Sequence, residues 1–206
     1  MYDVDAIRAD FPILSRQVNG KPLVYLDNGA SAQKPQAMID AVTKAYSHEY
    51  ANVHRGLHTL SSIATENYEA VRGKIARFLG GVPEEEGIFT TGSTHGFNLI
   101  AYGWAMENLT AGDEIVLSVM EHHANIIPWH FLRERMGVKL VWVEPEADGS
   151  FDPARVAQVL NDRTKLVTLT HMSNVLGTVV DIAAVADLLK PRGIPLAVDG
   201  SQSAVH

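Results

Sequence analysis

The sequence contains no cysteine. Within these residues, this absence excludes disulfide bonds, a thiolate nucleophile, and zinc or iron–sulfur sites with cysteine ligands. Long apolar runs are also lacking, and no stretch approaches the roughly 18 apolar residues of a transmembrane helix. The N-terminal segment MYDVDAIRADFP is acidic and has no apolar run preceded by positive charge. We therefore expect no secretory signal and a cytoplasmic protein.

A block of basic residues is missing as well. The net charge is -7, and acidic and basic residues are well mixed along the chain. Because there is no basic block, the sequence predicts neither a nucleic-acid partner nor binding to an anionic membrane surface. The chain has 206 residues, 46% of them hydrophobic, which is enough to form a buried core.

Short apolar runs alternate with longer amphipathic segments along the chain. This alternation predicts an α/β fold, in which helices cover both faces of a mostly parallel sheet. We expect a mainly helical segment over residues 1–80 and the start of the sheet domain over residues 81–206. The predicted helices are 35–50, 61–79, 94–106, 125–136, 152–160 and 182–190. The predicted strands are 23–27, 87–90, 114–119, 139–143, 165–170 and 194–198.

Ligands of open α/β sheets bind beyond the carboxyl ends of the strands, so we expect the site in the segments that follow them. The first such segment, Thr91-Gly92-Ser93-Thr94, follows the predicted strand 87–90 and opens a helix. Its hydroxyls, its free backbone N–H groups and the helix dipole suit a phosphate. Ser and Thr are also common helix N-caps whatever the ligand, and by itself the segment favours that interpretation.

Two adjacent histidines, His122 and His123, follow the predicted strand 114–119 and stand beside Glu121. Histidines in such a place can bind a metal, exchange protons, or provide a flat ring on which an aromatic cofactor stacks. A solvated polar loop is about as common an explanation. Because adjacent side chains point in different directions, we do not expect both rings on one metal.

Two further polar residues, Asn174 and Asp199, follow the last two predicted strands. Asn174 is suited to anchor a substrate carboxylate or a ring hydroxyl, or else it forms a turn in which Gly177 relieves backbone strain. A carboxylate at the end of an apolar strand needs a partner. For Asp199 this partner is a protonated pyridine nitrogen, as in pyridoxal-phosphate (PLP) enzymes, or an arginine, or the N-terminus of the next helix. Gln202 is close enough in sequence to reach a ring oxygen.

Each of these signals is weak alone, but together they follow four predicted strands in order. A phosphate cradle, a stacking ring, a polar anchor and a ring-nitrogen carboxylate are the parts of one PLP site. A separate pair, His54 and His58, has the i,i+4 spacing of zinc ligands. Gly56 disfavours a helix there, and Arg55 occupies the place of the glutamate of zinc hydrolases. We therefore expect no metal site at this pair.

Longer sequence runs are more specific than any of these spacings. They are RADFP (8–12), YLDNGAS (25–31), VHRGLHTL (53–60), MEHHANIIPW (120–129), HMSNVLGT (171–178) and VDGSQS (198–203). With these runs, the whole chain resembles the cysteine desulfurases of the sulfur-mobilisation (Suf/Csd-like) type, which belong to the class V aminotransferases, and their selenocysteine lyase relatives.

The resemblance implies the fold of a PLP-dependent transferase (fold-type I, aspartate aminotransferase-like) and a homodimer. It also implies that PLP is the cofactor. By their positions in the matching motifs, Ser93 and Thr94 would contact the phosphate. His122 would stack on the cofactor ring and serve as a catalytic proton carrier.

The same resemblance assigns the remaining residues. Asp199 would pair with the ring nitrogen and Gln202 with the ring oxygen, while Asn174 and His54 would face the substrate. The implied reaction converts L-cysteine to L-alanine and an enzyme persulfide. The persulfide then passes to an acceptor protein for iron–sulfur cluster assembly.

Two residues that the family requires are not found here. Its Schiff-base lysine and its nucleophilic cysteine both lie downstream of the Asp199 segment, and no lysine of this chain stands in the expected Ser-x-His-Lys pattern. We therefore expect the N-terminal portion of a longer enzyme, inactive by itself. Smaller departures are Gly29 and Ser201, where alanine is common, and His95, where glutamate is common.

Three alternatives remain open from the sequence. The first is a selenocysteine lyase, because the residues that set the preference between cysteine and selenocysteine are not in the chain. The second is a non-catalytic truncated relative that binds a partner, or binds PLP only through its phosphate. The third is a metal-dependent hydrolase that uses the histidines His54, His58, His122 and His123.

Overall fold

The computed structural model describes residues 2–206. The chain divides into two compact units, Met1–Ile88 and Phe89–His206. None of the described helices is long and apolar enough to cross a membrane. Among the candidate site residues, His54 lies in the first unit, and those that follow the predicted strands of the sheet domain lie in the second.

The first unit is mainly helical over its described residues. Its helices α1, α2 and α3 are Val4–Ala9, Gln36–Lys44 and Thr59–Phe78. A π-helical turn, Ala45–Glu49, continues α2. The predicted helices 35–50 and 61–79 are therefore confirmed, with their ends shifted by no more than two residues.

A short antiparallel hairpin, formed by β1 (Gln17–Val18) and β2 (Lys21–Pro22), also belongs to the first unit. Both residues of its turn, Asn19 and Gly20, have positive φ angles of 53° and 72°. Such angles are typical of the two-residue turns that match strand twist. The predicted strand 23–27 is wrong, because this apolar run has no partner strand among the described residues and its chain is irregular.

A four-stranded parallel sheet forms the centre of the second unit. Its order is β4-β3-β5-β6, so β3 and β5 are the inner strands. The residues of inner strands that point to either face are buried, which explains their nearly continuous apolar sequence. The strands are β3 (Glu114–Ser118), β4 (Lys139–Val143), β5 (Thr164–Thr170) and β6 (Leu196–Asp199).

Helices cover both faces of this sheet, as the alternation of segments predicts. On one face, Ile115 and Leu117 of β3 pack in one apolar cluster with Trp129. On the other face, Val116 of β3 packs in a second cluster with Val185. The helices of this unit are α4 (Ser93–Leu99), α5 (Met106–Asn108), α6 (Ile127–Met136), α7 (Ala154–Val159) and α8 (Ile182–Leu189); a π-helical segment, Ile100–Ala105, joins α4 to α5.

The predicted strand 87–90 is not formed, which is the second correction to the sequence-based elements. Ile88 is 76% exposed, and the edge strand β6 of the sheet pairs only with β5 among the described residues. A strand needs a neighbour that takes up its backbone hydrogen bonds. The phosphate-binding candidates therefore follow an extended segment rather than a strand.

A buried polar network joins β3, β5 and α6 beneath the carboxyl edge of the sheet. Asn125, which is fully buried, donates from Nδ2 to Glu121 Oε2 over 2.6 Å. Its Oδ1 accepts from Trp129 Nε1 at 3.0 Å and from Thr168 Oγ1 at 2.6 Å. Glu121 Oε1 accepts from Ser118 Oγ at 2.6 Å. One amide thus satisfies polar groups from three elements, which would otherwise be buried without partners.

Replacing Asn125 with leucine keeps the side-chain size but removes every polar contact of the amide. We expect the free energy of unfolding to fall by about 3 kcal/mol or more, because each buried group left unpaired costs about 1–3 kcal/mol. Urea denaturation of the full-length protein measures the change. The control is Asn108→Leu at an exposed position of α5, where we expect a change of less than about 0.5 kcal/mol. Equal losses in the two variants would contradict the role of the network.

The network also makes stability depend on pH. Burial raises the pKa of Glu121 above the ordinary value of 4.5, although hydrogen bonds from Ser118, the Thr170 backbone and Asn125 oppose the shift, and the charge of Asp199 adds to it. The folded chain therefore holds this proton to a higher pH than the unfolded chain. The contribution of protonated Glu121 to the free energy of unfolding is fully present below pH 4.5, and it is lost as the pH rises through the raised pKa.

We expect Glu121→Gln to abolish this part of the pH dependence, because a glutamine cannot titrate. The free energy of unfolding, measured in urea at a series of pH values from 4 upwards, should fall less steeply in this variant than in the wild type. The exposed Glu107→Gln on α5 should keep the wild-type slope. A Glu121→Gln slope equal to that of the wild type would show that Glu121 does not titrate in this range.

Candidate active site

The segments that follow β3, β5 and β6 meet at one edge of the sheet. The backbone N–H of His171, just after β5, donates to the carbonyl of Asp199 at the end of β6 over 2.9 Å. Asn125, in the segment after β3, accepts a hydrogen bond at Oδ1 from Thr168 Oγ1 of β5 over 2.6 Å. These bonds hold the three segments together, as expected for the carboxyl edge of a parallel sheet.

A glycine turn begins α4. Gly92 has a φ angle of +132°, which side chains rarely adopt, so the turn requires glycine for its backbone angle. The first N–H groups of a helix have no partner within it, and here they belong to Ser93, Thr94 and the residue that follows. The hydroxyl side chains of Ser93 and Thr94 are exposed beside them. The turn therefore presents hydrogen-bond donors and a positive helix end to an anion.

His122 lies on the exposed side of the loop that follows β3. Its Nδ1 accepts a hydrogen bond from the backbone N–H of Ala124 at 3.1 Å. In the neutral ring, the proton is then on Nε2, which points away from this contact. Glu121 and Asn125, on either side in the sequence, are buried in the polar network, so they anchor the loop on which His122 stands. The His122 and His123 rings are tilted by 46° with centroids 6.1 Å apart.

Asp199 is 6% exposed at the end of β6. Its Oδ1 accepts two hydrogen bonds from Ser201, one from the backbone N–H at 3.0 Å and one from Oγ at 2.5 Å. Ser201 Oγ in turn lies 2.7 Å from Ser93 Oγ. The structure therefore brings Ser93 and Asp199, which are far apart in sequence, into one hydrogen-bonded chain at the edge of the sheet.

The other two candidates of the second unit lie in turns. Asn174 is exposed in a turn that begins at Ser173. Ser173 Oγ closes this turn, because it accepts hydrogen bonds from the backbone N–H groups of Val175 and Leu176. Gly177 has a φ angle of +71°, in agreement with its expected relief of backbone strain. Gln202 is half-buried in the turn after β6.

His54, in the first unit, has a left-handed φ angle of +66°, which is uncommon for a residue other than glycine. Its Nε2 lies 2.9 Å from Glu69 Oε1, and its backbone N–H donates to Thr65 Oγ1 at 3.0 Å. The Tyr68 ring packs edge-on at a centroid distance of 5.9 Å. An unusual backbone angle fixed by several contacts is typical of a functional position.

The second histidine of the spaced pair has a structural role. His58 is the N-cap of α3, and its Nδ1 accepts from the backbone N–H of Ser61 at 3.4 Å. His54 lies outside that helix, so the two residues do not share a helical face. Within residues 2–206, no group of three or more His, Asp or Glu side chains is placed to hold a metal ion.

Two residues of the site were not assigned from the sequence. The sequence shows Glu121 only as a neighbour of the histidines, whereas in the structure it is a buried acceptor for Ser118 and Asn125. The resemblance marks Ser201 only as a departure from the usual alanine, whereas in the structure it links Asp199 to Ser93. The signal for Glu121 is a charged residue two positions after the predicted apolar strand 114–119. Nothing in the sequence indicated that Ser201 would reach Ser93.

The chemistry of these donors and acceptors fits PLP. The hydroxyls of Ser93 and Thr94, together with the start of α4, suit its phosphate, and the His122 ring is exposed for stacking. Among residues 2–206, both hydrogen bonds to the Asp199 side chain reach Oδ1, so Oδ2 is able to accept from a protonated ring nitrogen. A nearly buried carboxylate is the group that such a cation needs.

Comparison with known proteins agrees with this fit. The aminotransferase class-V family matches residues 24–206. A cysteine desulfurase of Salmonella newport (strain SL254) is 48% identical over 205 residues, which are 100% of this chain and 50% of that protein. The chain thus spans about half the length of the curated relatives it matches.

Solved structures lead to the same result. The cysteine desulfurase CsdA of Escherichia coli matches with a TM-score of 0.86 and 35% identity, over 100% of this chain and 50% of that one. The cysteine desulfurase of Thermococcus onnurineus NA1 matches with a TM-score of 0.91 and 33% identity, over 100% and 49% of the two chains. The fold is that of the PLP-dependent transferases, as the resemblance implied. The chain belongs to the aminotransferase class-V family.

Proposed function

We propose that the protein containing this chain is a PLP-dependent cysteine desulfurase, which converts L-cysteine to L-alanine and transfers the sulfur as an enzyme persulfide. One structural observation carries the proposal: the nearly buried Asp199 carboxylate is hydrogen-bonded through Ser201 to Ser93 at the start of α4. The acceptor for a ring cation is thereby at the same sheet edge as the start of α4, whose backbone N–H groups suit a phosphate. The similarity to curated cysteine desulfurases supports the choice of reaction.

The two ends of the proposed site hold the cofactor. Ser93 and Thr94 donate hydrogen bonds to the phosphate, and the positive end of α4 favours its charge. Asp199 keeps the ring nitrogen protonated, because a carboxylate in a buried site favours a cation beside it. When bound, PLP supplies an electron sink for the carbon atoms of the substrate.

His122 and Gln202 act on the ring between these ends. The His122 imidazole stacks on the ring and, with its proton on Nε2, can transfer that proton near the substrate. Glu121 and Asn125, which are hydrogen-bonded to each other, anchor the loop that carries this imidazole. Gln202 donates to the ring oxygen, for which its position in the turn after Asp199 is suitable.

Substrate recognition is assigned to Asn174 and His54. Asn174 is exposed in its turn, so its amide can donate to the substrate carboxylate. His54 is held by Glu69 and Tyr68 in the first unit, and its imidazole is about half exposed, with 53% of the side chain accessible. We assign residues 81–206 to the start of the cofactor-binding domain and residues 1–80 to a mainly helical N-terminal segment.

The covalent steps need groups that this chain lacks. Its sequence has no cysteine to carry a persulfide, and none of its lysines stands in the family's Ser-x-His-Lys pattern. These groups belong to the remainder of the protein, so the 206-residue chain alone is inactive under the proposal. We further propose a homodimer in the cytoplasm that passes sulfur to an acceptor protein for iron–sulfur cluster assembly.

The direct test uses the full-length protein with added PLP and L-cysteine. We expect a visible absorption band from the bound cofactor, and formation of alanine together with sulfide in the presence of a thiol reductant. Alanine is quantified by amino-acid analysis. Absence of both the band and the alanine would overturn the proposal.

A second prediction concerns the carboxylate at the end of β6. Asp199→Ala in the full-length enzyme should lower kcat on the order of 100-fold, the size of effect seen when one electrostatic stabiliser is removed from an active site. The matched control is Asp187→Ala on the exposed surface of α8, which should leave kcat unchanged. Unchanged turnover in Asp199→Ala would contradict the assigned role.

A further inference from the structure

The hydrogen-bonded chain Ser93–Ser201–Asp199 contains one residue that the proposed function has left without a role. Ser201 follows β6 in a turn, in which Ala204 donates its N–H to the Gly200 carbonyl at 2.9 Å. The hydroxyl oxygen of Ser201 lies 2.5 Å from Asp199 Oδ1 and 2.7 Å from Ser93 Oγ, so it contacts both other members of the hydrogen-bonded chain. Ser201 is therefore in contact with both groups that we assign to opposite ends of the cofactor.

The direction of each hydrogen bond follows from the number of protons available. An ionised carboxylate only accepts, so the single hydroxyl proton of Ser201 goes to Asp199. The proton between the two serines must then come from Ser93. Both hydroxyls are thus oriented in the same sense, from Ser93 through Ser201 to the carboxylate.

This arrangement is specific to position 201 within the turn. The neighbouring Ser203 has a buried Oγ with no hydrogen-bond partner among the described residues. An alanine at position 201 could make neither of the two side-chain contacts of Ser201. The link between Ser93 and Asp199 through a side chain therefore depends on the hydroxyl of Ser201.

We propose that Ser201 is a positioning residue that couples the phosphate end of the cofactor site to its ring-nitrogen end. The inference rests on the proposed function, since it takes Ser93 as a phosphate contact and Asp199 as the partner of the ring nitrogen. Ser93 has a single hydroxyl proton, and a phosphate that binds there competes with Ser201 for it. Occupation of the phosphate end thereby changes the hydrogen bonding of the residue that orients Asp199.

The test is a double-mutant cycle on the dissociation constant of PLP, measured by absorbance titration of the cofactor-depleted full-length protein. The four proteins are the wild type, Ser93→Ala, Ser201→Ala and the double variant. Ser93→Ala changes the dissociation constant by one factor in the wild-type background and by another in the Ser201→Ala background. We expect these two factors to differ about three- to tenfold, which corresponds to the free energy of one hydrogen bond. Equal factors in the two backgrounds would overturn the coupling.

A spectroscopic measurement separates coupling from a general structural effect. Ser201→Ala should shift the phosphorus NMR resonance of bound PLP, although its main contact is the carboxylate at the other end of the site. Ser201→Thr keeps a hydroxyl, so we expect it to retain the wild-type phosphorus resonance and the wild-type coupling to Ser93. Ser203→Ala, in the same turn, should leave the resonance in place and be additive with Ser93→Ala.

The outcomes distinguish this inference from the function on which it rests. If the wild type does not bind PLP, the proposed function is wrong and the coupling is wrong with it. If the wild type binds PLP but Ser201→Ala is additive with Ser93→Ala and leaves the phosphorus resonance unchanged, the function stands and only the coupling is wrong.

Discussion

The amide of Asn125 holds together the buried polar groups beneath the carboxyl edge of the sheet. Inside an apolar sandwich of sheet and helices, this side chain pairs with the carboxylate of Glu121, the hydroxyl of Thr168 and the indole of Trp129. Each of these groups is costly to bury without a partner. Their mutual satisfaction fixes the loop after β3 against β5, and this loop is the one that presents His122.

The same edge of the sheet holds charge of one sign close together. Glu121 and Asp199 are both buried carboxyl groups, and the charge of Asp199 contributes to the raised pKa of Glu121. Two buried acids near each other favour a bound cation or a retained proton. In the proposed enzyme, the protonated ring of the cofactor is the cation beside Asp199. Glu121 retains its proton to a higher pH than an ordinary glutamate, because its pKa is raised.

Under the proposed function, this chain supplies the groups that would hold and polarise the cofactor, while the groups that would form covalent bonds lie elsewhere in the protein. It spans about half the length of the curated relatives it matches. Binding and covalent chemistry are thus assigned to different parts of the sequence. Two of the residues assigned to binding, Ser93 and Asp199, are already connected through Ser201 within this chain.

The sequence alone determined the α/β class, four of the six predicted strands and the positions of the polar residues after them, because hydrophobic periodicity and strand-end polarity are local properties. Family-specific runs indicated the cofactor. The runs 23–27 and 87–90 resemble strands in sequence but do not form them, since an apolar run cannot reveal whether a partner strand exists to accept its hydrogen bonds. Only the tertiary structure decided that Ser201 contacts Ser93 and that Glu121 is buried in hydrogen bonds with Ser118 and Asn125. Such contacts between distant segments depend on how the sheet is assembled, and no local pattern encodes them.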